Sequence, residues 1–179
     1  LMRYYALLLL LMMAVACSQR KEERVVTPWG EVNDTVPAEE DFDLDDILRN
    51  GELIMLTVSG PETYYDYHGK ALGAQYMLCQ KFADRIGVGL RVEVCRDTAE
   101  ILRKIEDGDG DIGALMISRE IKGHKDSLLF CGPKIDTLNI QWIVTKDKPD
   151  LAKALNNWYM PKMLTEVKKE EDFLLSAKS

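Results

Sequence analysis

The order of hydrophobic periods between residues 53 and 115 constrains this chain more than any other feature of its sequence. Residues 53–58 form an apolar run of strand length, closed by the turn Ser59-Gly60-Pro61. Tyr64, Tyr65 and Tyr67, followed by His68-Gly69, predict a short extended segment and a turn at the mouth of that strand. Leu72, Tyr76, Cys79, Phe82, Ala83 and Ile86 then recur at helical spacing, with Gln75, Gln80, Lys81, Asp84 and Arg85 directed elsewhere. Gly87 ends this helix, residues 90–94 alternate as a strand, and Asp97 or Thr98 caps a helix through Glu106. Gly108-Asp109-Gly110 breaks the chain before a third strand over residues 111–115. Strand, helix, strand, helix, strand predicts an α/β fold with a mainly parallel sheet flanked by helices.

The flanks extend this frame. Phe42, Leu44, Ile47 and Leu48 predict a short helix whose N-terminal end carries Asp43, Asp45 and Asp46 and which stops at Asn50-Gly51. Residues 118–127 are polar and read as a loop. Ile140, Trp142, Ile143 and Val144 mark a strand over residues 138–145, and Leu151, Ala154, Leu155 and Trp158 mark a helix over residues 150–159. Pro161 breaks the chain, and residues 163–175 form a charged terminal helix whose weak apolar stripe leaves its docking open.

Thirty Asp and Glu against 23 Lys and Arg give a net charge of −7, which disfavours nucleic acid as a partner. Residues 4–16 carry no charge, and as a helix they would span about 20 Å, short of the roughly 30 Å hydrocarbon layer. Arg3, this apolar stretch and the ending Ala14-Val15-Ala16-Cys17 resemble a bacterial lipoprotein signal, which implies a lipid on Cys17 and attachment to a membrane of the cell envelope. The expected organisation is a signal at residues 1–16, a lipidated N-terminus and tether at 17–41, an α/β lobe at 42–160 and a C-terminal helix at 161–179. Cys79, Cys95 and Cys131 lack metal-ligand spacing and fit either one disulfide plus a thiol or three buried thiols.

At the C-terminal ends of parallel strands, loops converge on ligands, which makes Ser59, Tyr64, Tyr65, Arg96 and Ser118 candidate binding residues. The three neighbouring tyrosines form either an aromatic shelf or sheet-edge packing. Arg119 and His124, with Lys122 and Lys125, form either an anion-binding patch or a solvated basic turn. No nucleophile elbow, phosphate loop, calcium loop or histidine pair is present, so neither catalytic residues, a metal site nor a cofactor is expected. Trp142 and Trp158 are candidate core anchors.

Arg49-Asn50-Gly51-Glu52-Leu53, the turn to Pro61, Tyr64-Tyr65, Gly73, residues 78–84 and 87–94, and Gly110-Asp111-Ile112 resemble the start of the family 3 extracellular solute-binding fold. The subtype that these residues resemble is the binding-protein-like N-terminal module of membrane-bound lytic murein transglycosylases. The resemblance implies two α/β lobes around a ligand cleft, yet only six residues separate Pro133 from Ile140, where a second lobe needs roughly 80 to 100. A single lobe resembling lobe 1 of a type 2 periplasmic binding protein is therefore expected, with no lytic domain. Ala74 and Gln75 stand where relatives often carry an acidic residue, and His124 stands near the position of their ligand-gripping arginine. The implied function is non-catalytic recognition of a small solute or wall-derived ligand such as a muropeptide. The alternatives are a structural lipoprotein that binds an envelope protein or itself through an apolar face left by the missing lobe, and an accessory subunit of a murein transglycosylase system.

Overall fold

A computed structural model of the chain describes residues 42–177. The expected signal segment, Cys17 and the tether lie outside the described residues.

Helix α1 (Leu44–Asn50) is opened by a capping box: the Asp43 side chain accepts from backbone N–H groups while Asp46 reaches back to the Asp43 N–H. Gly51 ends it at φ 71° and leads into β1 (Glu52–Val58). A hairpin follows, β2 (Tyr65–Tyr67) against β3 (Lys70–Leu72), as the tyrosine-rich segment and His68-Gly69 predict. Helix α2 (Ala74–Ile86) begins two residues later than the periodicity suggests, because Gly73 sits at φ 118° against the Thr63 backbone, where a Cβ would collide with the Thr63 carbonyl. Strand β4 (Gly89–Cys95), helix α3 (Thr98–Glu106) capped by Asp97, and β5 (Ile112–Ser118) complete the expected series.

The sheet order is β4-β1-β5-β7-β6, with β6 at Leu128–Ile135 and β7 at Ile140–Thr145. β4, β1 and β5 are parallel, whereas β7 runs antiparallel to both β5 and β6. The sheet is thus mixed rather than mainly parallel. The antiparallel part comes from β7, the one strand that runs opposite to the other four; the crossover to it from β6, which the sequence reading left unassigned, is only the 3-10 turn Asp136–Leu138 plus Asn139 at φ 51°. No second lobe fits into that link.

Helices α4 (Pro149–Trp158) and α5 (Lys162–Ser176) follow. Two cores result, one on each face of the sheet. Met55, Phe82, Trp142, Leu155 and Val167 join α1, α2, α4 and α5 to one face, while Leu56, Ile101, Ile105 and Ile143 pack α3 on the other. Trp142 is fully buried, as a core anchor should be, and Trp158 stacks obliquely on Phe82 at 5.3 Å. Gln75 departs from the expected pattern: it is buried because its side-chain oxygen accepts the Trp142 indole N–H at 2.6 Å. Helix α5 docks on α2 through Val167 and the Lys81–Glu170 ion pair. Cys79, Cys95 and Cys131 are three buried free thiols, and burial pushes Cys131 up to about 12.

Candidate functional site

Because β4, β1 and β5 are parallel, their C-terminal residues Cys95, Val58 and Ser118 end at one edge of the sheet, and the adjoining loops rise from there. β6 also ends at this edge, and β7 begins there: Ser118 pairs with Ile140 and Ile135 pairs with the same residue. The crossover thus caps the strand-end edge with Asp136 and Asn139.

The loop after β1 is held by Thr63, whose hydroxyl donates to the Val58 carbonyl at 2.6 Å. Ser59 is exposed on it. Tyr64 and Tyr65 do not form one shelf, since successive side chains of an extended segment diverge. Tyr64 packs edge-on against Tyr76 with centroids 5.3 Å apart. Tyr65 turns toward α5, where its hydroxyl donates to Glu171 at 2.8 Å. Burial, then the Glu171 carboxylate, push its phenol up to about 12. The packing alternative therefore holds for Tyr65, and Lys168–Glu62 at 3.0 Å ties the same helix to the β1 loop.

Arg96 lies at the end of β4 with its side chain 85% exposed and its Nε 3.2 Å from Glu100. The Arg96 backbone N–H also donates to Glu100, and this is the first cause of the lowered Glu100 pKa. Ser118 accepts the Glu120 backbone N–H, which turns the chain after β5.

Arg119 and His124 part company within the polar loop. Arg119 stays at the strand-end edge and points its fork at the crossover: Nε donates to Gln141 at 3.0 Å, Nη2 to Asp136 at 3.0 Å and Nη1 to Asn139 at 3.5 Å. Lys134 also reaches Asp136 at 3.0 Å, and with Arg119 it holds the Asp136 carboxyl below its ordinary value. His124 is directed to the end of α3, with Nδ1 2.7 Å from Glu106, which also accepts the Ser127 hydroxyl at 2.5 Å. These two partners lower the Glu106 pKa. Both side chains thus face carboxylates of the chain itself, while Lys122 and Lys125 are exposed. Sequence reasoning missed Asp136, Asn139 and Gln141, and the signal that could have found them is their position in a crossover too short for a second lobe.

The large exposed apolar side chains at this edge are Val94 and Leu138 among the described residues. A depression of about 450 Å³ lies elsewhere, lined by Asp43, Asp45, Asp46, Arg49, Asp147, Pro149 and Asp150. It sits where β7 ends and α4 begins, at the opposite end of the sheet. Among the described residues no group of three or more His, Cys, Asp or Glu side chains could hold a metal ion, and no helix is long and apolar enough to cross a membrane.

Three parallel strands continued by an antiparallel pair, closed by a crossover in place of a second lobe, define a single lobe of the type 2 periplasmic solute-binding fold. Among the solved structures that share it is that of domain 1 from TmArgBP in its arginine-bound form. That domain is 22% identical with a TM-score of 0.53, over 69% of this chain and 98% of the domain. A point mutant of the same domain matches at the same TM-score and identity over 70% of this chain. No protein-family model matches the chain.

Proposed function

We propose that this protein is an extracytoplasmic recognition lobe, held to a membrane through lipid on Cys17, that binds a small solute at the strand-end edge without catalysing a reaction. One observation carries the reading: a similar solved structure is an isolated lobe in its arginine-bound form, and this chain spans 98% of it. A lone lobe of this fold is therefore compatible with ligand binding. The edge where the parallel strands end supplies suitable groups here, with Ser59 and Tyr64 on the loop after β1, Arg96 after β4, Ser118 at the end of β5, and the Arg119–Asp136 pair presenting both signs of charge. A ligand with an ammonium and a carboxylate could exchange with that pair, which makes cationic and zwitterionic amino acids the first solutes to try. Wall-derived muropeptides carry the same groups, and they follow from the resemblance to transglycosylase-associated modules.

Hydrogen–deuterium exchange of the purified chain, with and without arginine, other amino acids and muropeptides, tests this. Protection confined to residues 59–64, 96 and 118–120 and the 136–139 crossover supports it. No protection with any of these ligands argues for the interaction lipoprotein instead. Anchoring is tested separately by Cys17→Ala, which is expected to move the protein from the membrane to the soluble fraction once the signal segment is removed.

A further inference from the structure

The two edges of the sheet are built differently. β6 is blunted in three ways: it contains Pro133, it bends at Gly132 with φ 67°, and its register with β7 shifts between Cys131 and Lys134. Helix α4 also packs along it. β4 has none of the first three features. Its register with β1 is unbroken from Gly89 to Cys95, it contains no proline, and among the described residues β1 is its only strand partner. A seven-residue strand with one unpaired side is a template for another strand.

The residues along β4 specify what could pair with it. On the α2 face Leu90 and Val92 are half-buried and Val94 is 48% exposed, a large fraction for a valine in a strand. On the α3 face stand Arg91 and Glu93, one on each side of Val92. The pattern Leu90-Arg91-Val92-Glu93-Val94 is thus complementary to its own reverse. When two copies run antiparallel about Val92, Leu90 of each faces Val94 of the other, and Arg91 of each faces Glu93 of the other. Both pairings are favourable cross-strand pairs, and the two-fold axis makes each occur twice. A parallel pairing in register would instead set Arg91 against Arg91 and Glu93 against Glu93.

We propose that β4 is a homodimerisation edge, joining two copies through antiparallel β4–β4 pairing centred on Val92 into a continuous ten-stranded sheet. The existing contacts of these charges are compatible with it. Arg91 meets Glu52 through Nε at 2.9 Å and keeps its Nη donors, and the Glu93 carboxylate, which holds Lys104, has acceptor sites for a second cation. A strand pair of this length makes a small interface, so a reversible dimer is expected rather than an obligate one.

Charge reversal tests both partner and register. In sedimentation velocity of the full chain in detergent, a concentration-dependent dimer is expected. Arg91→Glu and Glu93→Arg each place two like-charge pairs in the interface, and each is expected to raise the dissociation constant about tenfold. An equimolar mixture of the two variants restores every pair and recovers the dimer, as does the double reversal in one chain. Loss of the Arg91–Glu52 contact within a monomer would not be repaired by mixing. A chain that stays monomeric at every concentration, single reversals without effect, or a mixture that does not recover would each overturn the proposal. Disulfide trapping serves if a reversal fails to fold: Arg91→Cys is expected to cross-link to Glu93→Cys more than either variant does to itself, and equal cross-linking rejects the register.

Discussion

At the end of the sheet where β5 begins, Asp111 and Lys148 face each other at 3.8 Å with each side chain 5% exposed. At the other end Arg119 and Asp136 meet at 3.0 Å with side chains 28% and 61% exposed. The first pair is enclosed: Asp111 also accepts the Ile54 backbone N–H at 2.8 Å, and the Lys148 ammonium lies 5.4 Å from the Phe42 ring centroid. The second is wet and faces the loops. Buried charges that have no open path to a ligand act on stability, whereas exposed charges at strand ends contribute little to stability and can exchange partners. The difference separates the structural end of this lobe from its proposed recognition end.

The sharpest way to break that division is Asp111→Ala. It strands a buried ammonium and an unpaired N–H, and a loss of about 3 kcal/mol is expected in urea unfolding. Adding Lys148→Met is expected to recover most of the loss, since the pair itself is costly to bury. A small effect of the single change would show that this end is not structural. Next in size is Asp43→Ala. Besides opening α1, the Asp43 carboxylate accepts the Asp150 and Leu151 N–H groups at 3.0 Å each, so it caps α4 as well. Losing a shared cap predicts a decrease of about 2 kcal/mol by the same measurement.

The two ends should also respond oppositely to pH. Burial raises Asp111 above its ordinary 3.8, so the stability linked to it is complete below that value and is lost as pH rises through the folded-state value. Asp136 is lowered from 3.8 by Lys134 and then Arg119, so its contribution is present above that value and is lost as pH falls through the folded-state value. Carboxyl-carbon NMR titration should place the two aspartates on opposite sides of 3.8. Asp136→Asn is expected to flatten the acid side of the stability profile, and titration of both residues on the same side would remove the contrast. The smallest effect belongs to Arg119→Ala, expected to leave the unfolding midpoint unchanged while weakening any amino-acid-induced protection at the strand-end edge. A marked drop in stability would reassign Arg119 to the structural end.

Much of this frame was legible because it is local. The α2 stripe, the Asp97 cap and the stops at Gly51 and Gly87 each depend on residues within a few positions of one another. β6 was not, because Gly132 and Pro133 read as breakers, and only its place at the sheet edge lets a strand tolerate them. The candidate site was less legible than the fold. Tyr65 was singled out as a candidate binding residue, but its partner Glu171 is 106 positions away on a helix whose docking the stripe left open. His124 and Arg119 look alike as cations in one loop, yet one closes on α3 and the other on the crossover.

The sequence by itself determined the alternation of strands and helices, their caps, and a crossover too short for a second lobe, because periodicity and chain length act without knowledge of distant partners. Tertiary structure decided the mixed sheet, the burial of Gln75 under Trp142, the direction of each charged side chain and which sheet edge stays open. Those outcomes depend on which residues meet across tens of positions, and a side chain's chemistry is set by what it meets.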